Sequence, residues 1–197
     1  PRCGSRRSRS PDPALSPEPA VQRLFAAIAV PDAMKAALRE VQQRLKQGLA
    51  PACAAWTRPE AMHLTLRFLG DVDAARVPEL ARALRECLVG FGALDLVCEG
   101  LGRFPDRRLP RVVWARVRDD AGRLTRLHET IDLAVDDFAP TSAGARFVGH
   151  VTLARPKRLD PSGAARLDRF VEAAGAERFG AWRAGEVELL RSELTPT

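Results

Sequence analysis

Two of the three histidines in this chain carry a threonine two residues on. They are His63 with Thr65, in His-Leu-Thr-Leu-Arg-Phe-Leu-Gly, and His150 with Thr152, in His-Val-Thr-Leu-Ala-Arg. In a strand, residues two apart point the same way, so each motif sets an imidazole beside a hydroxyl. Alternation adds Arg67 to the face of His63 and Thr65, and puts Leu64, Leu66 and Phe68 on the other. An imidazole titrates near neutral pH. Two of them can share the in-line cleavage of a phosphodiester, one neutral and activating the attacking hydroxyl, the other protonated and feeding the leaving oxygen. Each such role is worth roughly 10²–10⁴ in rate. Threonine hydroxyls can donate to the non-bridging oxygens, where charge accumulates. Neither motif has the carboxylate neighbours a metal site would collect, so no metal or other cofactor is expected.

One His-x-Thr strand alone would equally suit a polar sheet edge. What gives the pair weight is the pattern of elements around it. From Val21 the chain reads strand (Arg-Leu-Phe-Ala-Ala-Ile-Ala-Val), then a helix from Pro31–Asp32 to Gly48 with Met34, Ala37, Leu38, Val41 and Leu45 at helical spacing. The first motif strand follows, then a helix carrying Val77, Leu80, Leu84 and Leu88, then a strand ending near Phe104. After Pro110 the order restarts: strand, a helix with Leu124, Leu127, Ile131 and Val135 inward, the second motif strand, a helix from Asp160, and a final strand or hairpin. The two histidines lie 87 residues apart, and Phe-Gly-Ala-Leu at Phe91 recurs as Phe-Gly-Ala-Trp 88 residues later. This duplicated β-α-β-α-β unit predicts an α+β fold of two lobes about a pseudo-two-fold axis, with antiparallel sheets lining a central cleft. The lobes are expected at about residues 21–106 and 107–197 of one domain, with both motifs facing the cleft.

The paired motifs, with Arg-Leu-Phe-Ala-Ala-Ile-Ala-Val-Pro opening the body and Gly-Leu-Gly-Arg-Phe-Pro-Asp-Arg-Arg-Leu-Pro between the units, closely resemble the two-histidine (2H) phosphoesterases. Within that superfamily the match is to the RNA 2',3'-cyclic phosphodiesterases, also called 2'-5' RNA ligases. The resemblance runs from about Val21 to Leu194. It implies hydrolysis of a 2',3'-cyclic phosphate RNA end to a 2'-phosphate, and a reversible, ATP-independent 2'-5' ligation. It casts His63 as the proton donor to the leaving oxygen and His150 as the base on water; the near symmetry of the motifs does not itself assign the roles. Two features depart from the family's pattern. Gly149 stands where proline often precedes the second histidine, and the sequence, which contains no Tyr, ends Ser-Glu-Leu-Thr-Pro-Thr, either a truncated end or a member that does without the family's usual Tyr-containing tail.

Three further residues are candidate substrate contacts. Arg155, five residues past His150, suits a phosphate. Arg67 shares the His63 face, and Phe25 could floor the cleft or stack a base. His128 lacks the threonine and is read as a packing or surface residue. The three tryptophans are read as core or rim residues.

Composition bounds the rest. At 46% hydrophobic and 28% charged residues, the 197-residue chain has the balance of a globular domain that needs no metal or disulfide for stability. No apolar run approaches the ~20 residues of a membrane span. Cys3, Cys53, Cys87 and Cys98 form no CxxC pair, which predicts free thiols and a cytoplasmic setting. A net charge of +6 is compatible with a phosphate-bearing partner. Residues 1–20, rich in Pro, Ser and Arg, read as a disordered basic leader. The expected partner is RNA with 2',3'-cyclic phosphate ends, tRNA fragments among them, acted on by a monomer. Two competing readings are the same chemistry on a cyclic-phosphate nucleotide or ADP-ribose derivative, and a non-catalytic RNA-binding accessory protein. Binding alone would not require two titrating groups.

Overall fold

A computed structural model of the chain describes residues 20–49, 53–105, 109–139, 146–157 and 159–192. The expected leader, up to residue 19, and the last five residues lie outside these. Eight strands and four helices follow in order: β1 (Val21–Ala29), α1 (Asp32–Gly48), β2 (Ala54–Trp56), β3 (His63–Asp73), α2 (Val77–Cys87), β4 (Leu94–Phe104), β5 (Val112–Arg118), α3 (Arg123–Ala134), β6 (His150–Pro156), α4 (Pro161–Ala173), β7 (Arg178–Ala184) and β8 (Glu188–Arg191). Among the described residues no helix is long and apolar enough to cross a membrane.

Local chemistry accounts for the element boundaries. Pro31 stands just ahead of α1 with its φ already at −63°, and Asp160 accepts a bond from the Gly163 amide to cap α4. The apolar stripes lie where helical spacing puts them. Met34, Leu38, Val41 and Leu45 of α1 are buried, as are Leu124, Leu127 and Ile131 of α3. Gln42 is the exception, a polar residue buried inside the α1 stripe at 4% exposure.

The strands form one antiparallel sheet in the order β7-β4-β5-β6-β3-β1-β8, with β2 added beside β6. The expected α+β class and antiparallel architecture hold, with the lobes' sheets joined into one. The join is narrow: β3 and β6 pair only at Leu64 opposite Val151. Each side of that join also draws on both sequence repeats. β4, from the first repeat, pairs with β5 and β7 of the second, while β8, from the end of the chain, pairs with β1. The helices cross over as well: α1 packs against β7 and α4, and α3 against β3. The last segment, expected as a strand or hairpin, is therefore two strands on opposite edges of the sheet. β2 was not anticipated; at three residues it is too short to show a period.

Candidate active site

The join between β3 and β6 brings the two motifs together. In an antiparallel ladder residues facing one another share a side of the sheet. With Leu64 against Val151, both fully buried, the flanking positions set His63 across from Thr152 and Thr65 across from His150. All four line one groove of about 510 Å³, together with Phe68 and Arg155.

Both imidazoles are held alike. Nδ1 of His150 lies 2.7 Å from the carbonyl of Val148, and His63 bonds the carbonyl of Ala61, in each case two residues back. A carbonyl only accepts, so in each ring the nitrogen facing it carries the hydrogen; in His150 that is Nδ1, which leaves Nε2 for the groove. Aromatic rings set the orientation further. Phe25 packs 4.7 Å from the His63 ring, while Phe104 meets His150 edge-on at 5.3 Å and Trp114 lies 5.7 Å away. Burial pushes the His63 pKa below its ordinary value; the Ala61 carbonyl opposes this and the neighbouring His150 adds to it. His150 is also pushed down, first by burial and further by the Arg155 charge, with the Val148 carbonyl pulling the other way. The groove wall holds the guanidiniums of Arg58 and Arg155 and, among the described residues, no carboxylate. Such a lining suits an anion beside two titratable rings.

Matching irregularities in the two motif strands decide which further side chains enter. Ala27 pairs with Thr65 but Ala26 with Arg67, leaving Leu66 as an extra residue in β3. Likewise Trp114 pairs with Thr152 but Val113 with Ala154, leaving Leu153 extra in β6. Each β-bulge lies three residues past its histidine and resets the alternation. The positions four past, Arg67 and Ala154, turn toward the helices. The positions five past, Phe68 and Arg155, turn into the groove.

The candidate contacts divide accordingly. Arg155 lines the groove. Arg67 does not, and this corrects simple alternation: its Nε pairs with Asp132 of α3 at 2.8 Å, and Nη2 donates to the Ala139 carbonyl at 2.6 Å. Phe25 is buried behind His63 and Phe68, a backing for the imidazole and no part of the groove lining. Phe68, assigned by alternation to the opposite face, is 63% exposed and lines the groove. The 87-residue repeat offset, which maps Arg155 onto Phe68, was the signal that could have found it. His128 lies outside the groove and stacks on Phe147 at 4.3 Å. Gly149 has a packing reason: a Cβ there would run into the Val117 carbonyl and the Leu124 side chain. Among the described residues, no three His, Cys, Asp or Glu side chains gather as metal ligands would. Cys53, Cys87 and Cys98 are free, with burial pushing the Cys98 thiol up to about 12.

Comparison with known proteins bears on this geometry. Residues 28–114 match the family model described as LigT like Phosphoesterase. The RNA 2',3'-cyclic phosphodiesterase of Aquifex aeolicus is 30% identical over 80% of this chain and 84% of its own length. That of Archaeoglobus fulgidus is 31% identical over 88% and 93%. A crystal structure of a Thermus thermophilus protein superposes with a TM-score of 0.71 at 28% identity, over 88% of this chain and 90% of that one. Escherichia coli LigT in complex with 3'-AMP gives 0.68 at 20% identity, over 89% and 91%, a likeness of fold.

Proposed function

The chain belongs to the LigT-like phosphoesterases, and on that premise we propose that it is an RNA 2',3'-cyclic phosphodiesterase working through His63 and His150. The observation that carries the reading is the pair of imidazoles in one groove, each with one ring nitrogen committed to a backbone carbonyl and the other left for the substrate. Several relatives at about 30% identity bear that name. In this reading neutral His150 takes a proton from water as the oxygen attacks phosphorus. The bond from phosphorus to O3' breaks on the opposite side, and protonated His63 delivers its proton to O3'. The product is a 2'-phosphate with a free 3'-hydroxyl, and the pair ends with its protons exchanged. Thr65 and Thr152 donate to the non-bridging oxygens, Arg155 neutralises charge there, and Phe68 offers a ring on which the terminal base can stack. A 5'-hydroxyl entering in place of water forms a 2'-5' linkage by the same steps, which is the ligation.

We assign the reaction to RNA ends, tRNA fragments among them, in the cytoplasm. A monomer suffices, because all the groove side chains come from one chain. The test is to incubate the protein, with EDTA present, with an oligoribonucleotide ending in 2',3'-cyclic phosphate and to identify the product isomer. A 2'-phosphate is expected. Loss of turnover with EDTA, or a 3'-phosphate product, sinks the mechanism. A cyclic mononucleotide cleaved far better than the oligomer moves the substrate to free nucleotides.

A further inference from the structure

The bulges that admit Phe68 and Arg155 are each gripped from behind by a helix side chain. Gln42 of α1 points its amide nitrogen at the carbonyl of Leu153, the extra residue in β6, at 2.8 Å, and also at the carbonyl of Thr57 at 2.8 Å. His128 of α3 puts Nδ1 2.8 Å from the carbonyl of Leu66, the extra residue in β3. The acceptor is again a carbonyl, so Nδ1 is the donor. Gln42 and His128 stand 86 residues apart, almost the repeat offset, on equivalent helices. Each reaches across to the motif strand of the other repeat. A bulge takes its extra residue out of the ladder with the strand it faces. The Leu153 carbonyl keeps a backbone bond from the Thr57 amide at 3.0 Å, and Gln42 adds a second donor there while tying in the Thr57 carbonyl, filling the remaining acceptor capacity of buried backbone. A donor at that point selects the bulged register over a regular one that would return the fifth residue to the helix side.

We propose that Gln42 and His128 are paired positioning residues: Gln42 holds the bulge that aims Arg155 into the groove, and His128 the bulge that aims Phe68. Neither lines the groove, so each acts through the side chain it aims. The proposal rests on the phosphodiesterase reading for its kinetic arm. The two clamps differ in surroundings. Gln42 is almost wholly buried. His128 is half-buried and shares its bulge with the Asp132–Arg67 ion pair on the same helix.

The kinetic arm measures kcat/KM on the cyclic-ended oligoribonucleotide. Gln42→Met, close in shape but without the donor, and His128→Phe, which keeps the stack on Phe147, are each expected to lower it by roughly three- to tenfold, the effect of one or two hydrogen bonds. His128→Asn, which keeps a donor, restores most of the loss. In double-mutant cycles Gln42→Met costs little once Arg155→Ala is in place, and its full factor beside Phe68→Ala. His128→Phe shows the reverse. The second arm is independent of turnover: amide hydrogen exchange rises at Thr57 and around Leu153 for Gln42→Met, around Leu66 for His128→Phe, and not at the other bulge. Gln42→Leu replaces the Met variant if the latter does not fold. Equal coupling to both groove side chains, or exchange that rises alike at both bulges or at neither, overturns the proposal. If the unaltered protein hydrolyses no cyclic end, the functional reading fails, and exchange alone decides the clamps.

Discussion

Each groove histidine is tied by one ring nitrogen to the carbonyl two residues behind it, and each is pushed below the ordinary imidazole pKa mainly by burial. The catalytic cycle needs one proton on the pair. That proton is lost as pH rises through the higher of two macroscopic values, which belong to the pair and not to either ring. Since both rings are lowered, kcat/KM for the free enzyme is expected to peak below the ordinary value of 6.5 and to fall as pH rises through neutrality. Arg155 is one cause of the lowering at His150, so Arg155→Gln moves the profile to higher pH as well as slowing it. Profiles from about pH 5 to 8 for both proteins check this; a flat curve, or no displacement in the variant, defeats it. Replacing either histidine by Ala is expected to cost roughly 10²-fold or more in kcat/KM. An undiminished His150→Ala enzyme removes that ring from the mechanism.

Strands carried most of the legible signal. The four His and Thr positions were readable because they precede any irregularity, so a period of two still holds from residue one to residue three of each motif. Arg67 and Phe68 were not, because the extra residue at Leu66 reverses the assignments that follow it, up to a second irregularity at Leu69. Bulges leave no compositional mark here; only comparison of the two repeats, Leu-Arg-Phe against Leu-Ala-Arg, hints that the fifth positions correspond. Close packing was equally hidden. The Trp114 ring crosses the place where a Gly102 side chain would stand, and the Val117 carbonyl occupies the place of a Gly149 side chain while the Val117 amide bonds the Gly149 carbonyl at 2.8 Å. Gly149→Ala must displace backbone one residue from His150. It is expected to cost roughly 1–3 kcal/mol of stability and to lower kcat as well. Gly185→Ala, with open space around its Cβ, is the control. Equal melting temperatures for the two variants contradict the packing argument.

At the scale of the molecule, the repeat was legible but its exchange was not. Periodicity shows which face an element buries, not which partner buries it. The halves 21–106 and 107–197 look in sequence like two self-contained units. In space β4 has both its partners in the second half, β8 completes the sheet beside β1, and α1 and α3 each pack on strands of the other half. A separated first half keeps the β1–β3 pair but leaves β4 without a neighbour and the stripe of Met34, Leu38, Val41 and Leu45 without much of its cover. Its core is then too small to offset the conformational entropy of about 1–2 kcal/mol per residue for the backbone alone. Neither half, expressed alone, is expected to give a cooperative thermal transition, while mixing the two restores both the transition and hydrolysis of the cyclic end. A cooperative transition in either half alone breaks the argument. The same crossing ties the chemistry to the fold. The two motif strands pair in the ladder at one position, so their relative placement also depends on helices that each pack on strands of the other half. Loosening either helix then separates the imidazoles before it unfolds the strands, and activity in dilute denaturant is expected to vanish before the far-ultraviolet signal of the sheet. Coincident losses point to a single rigid unit instead.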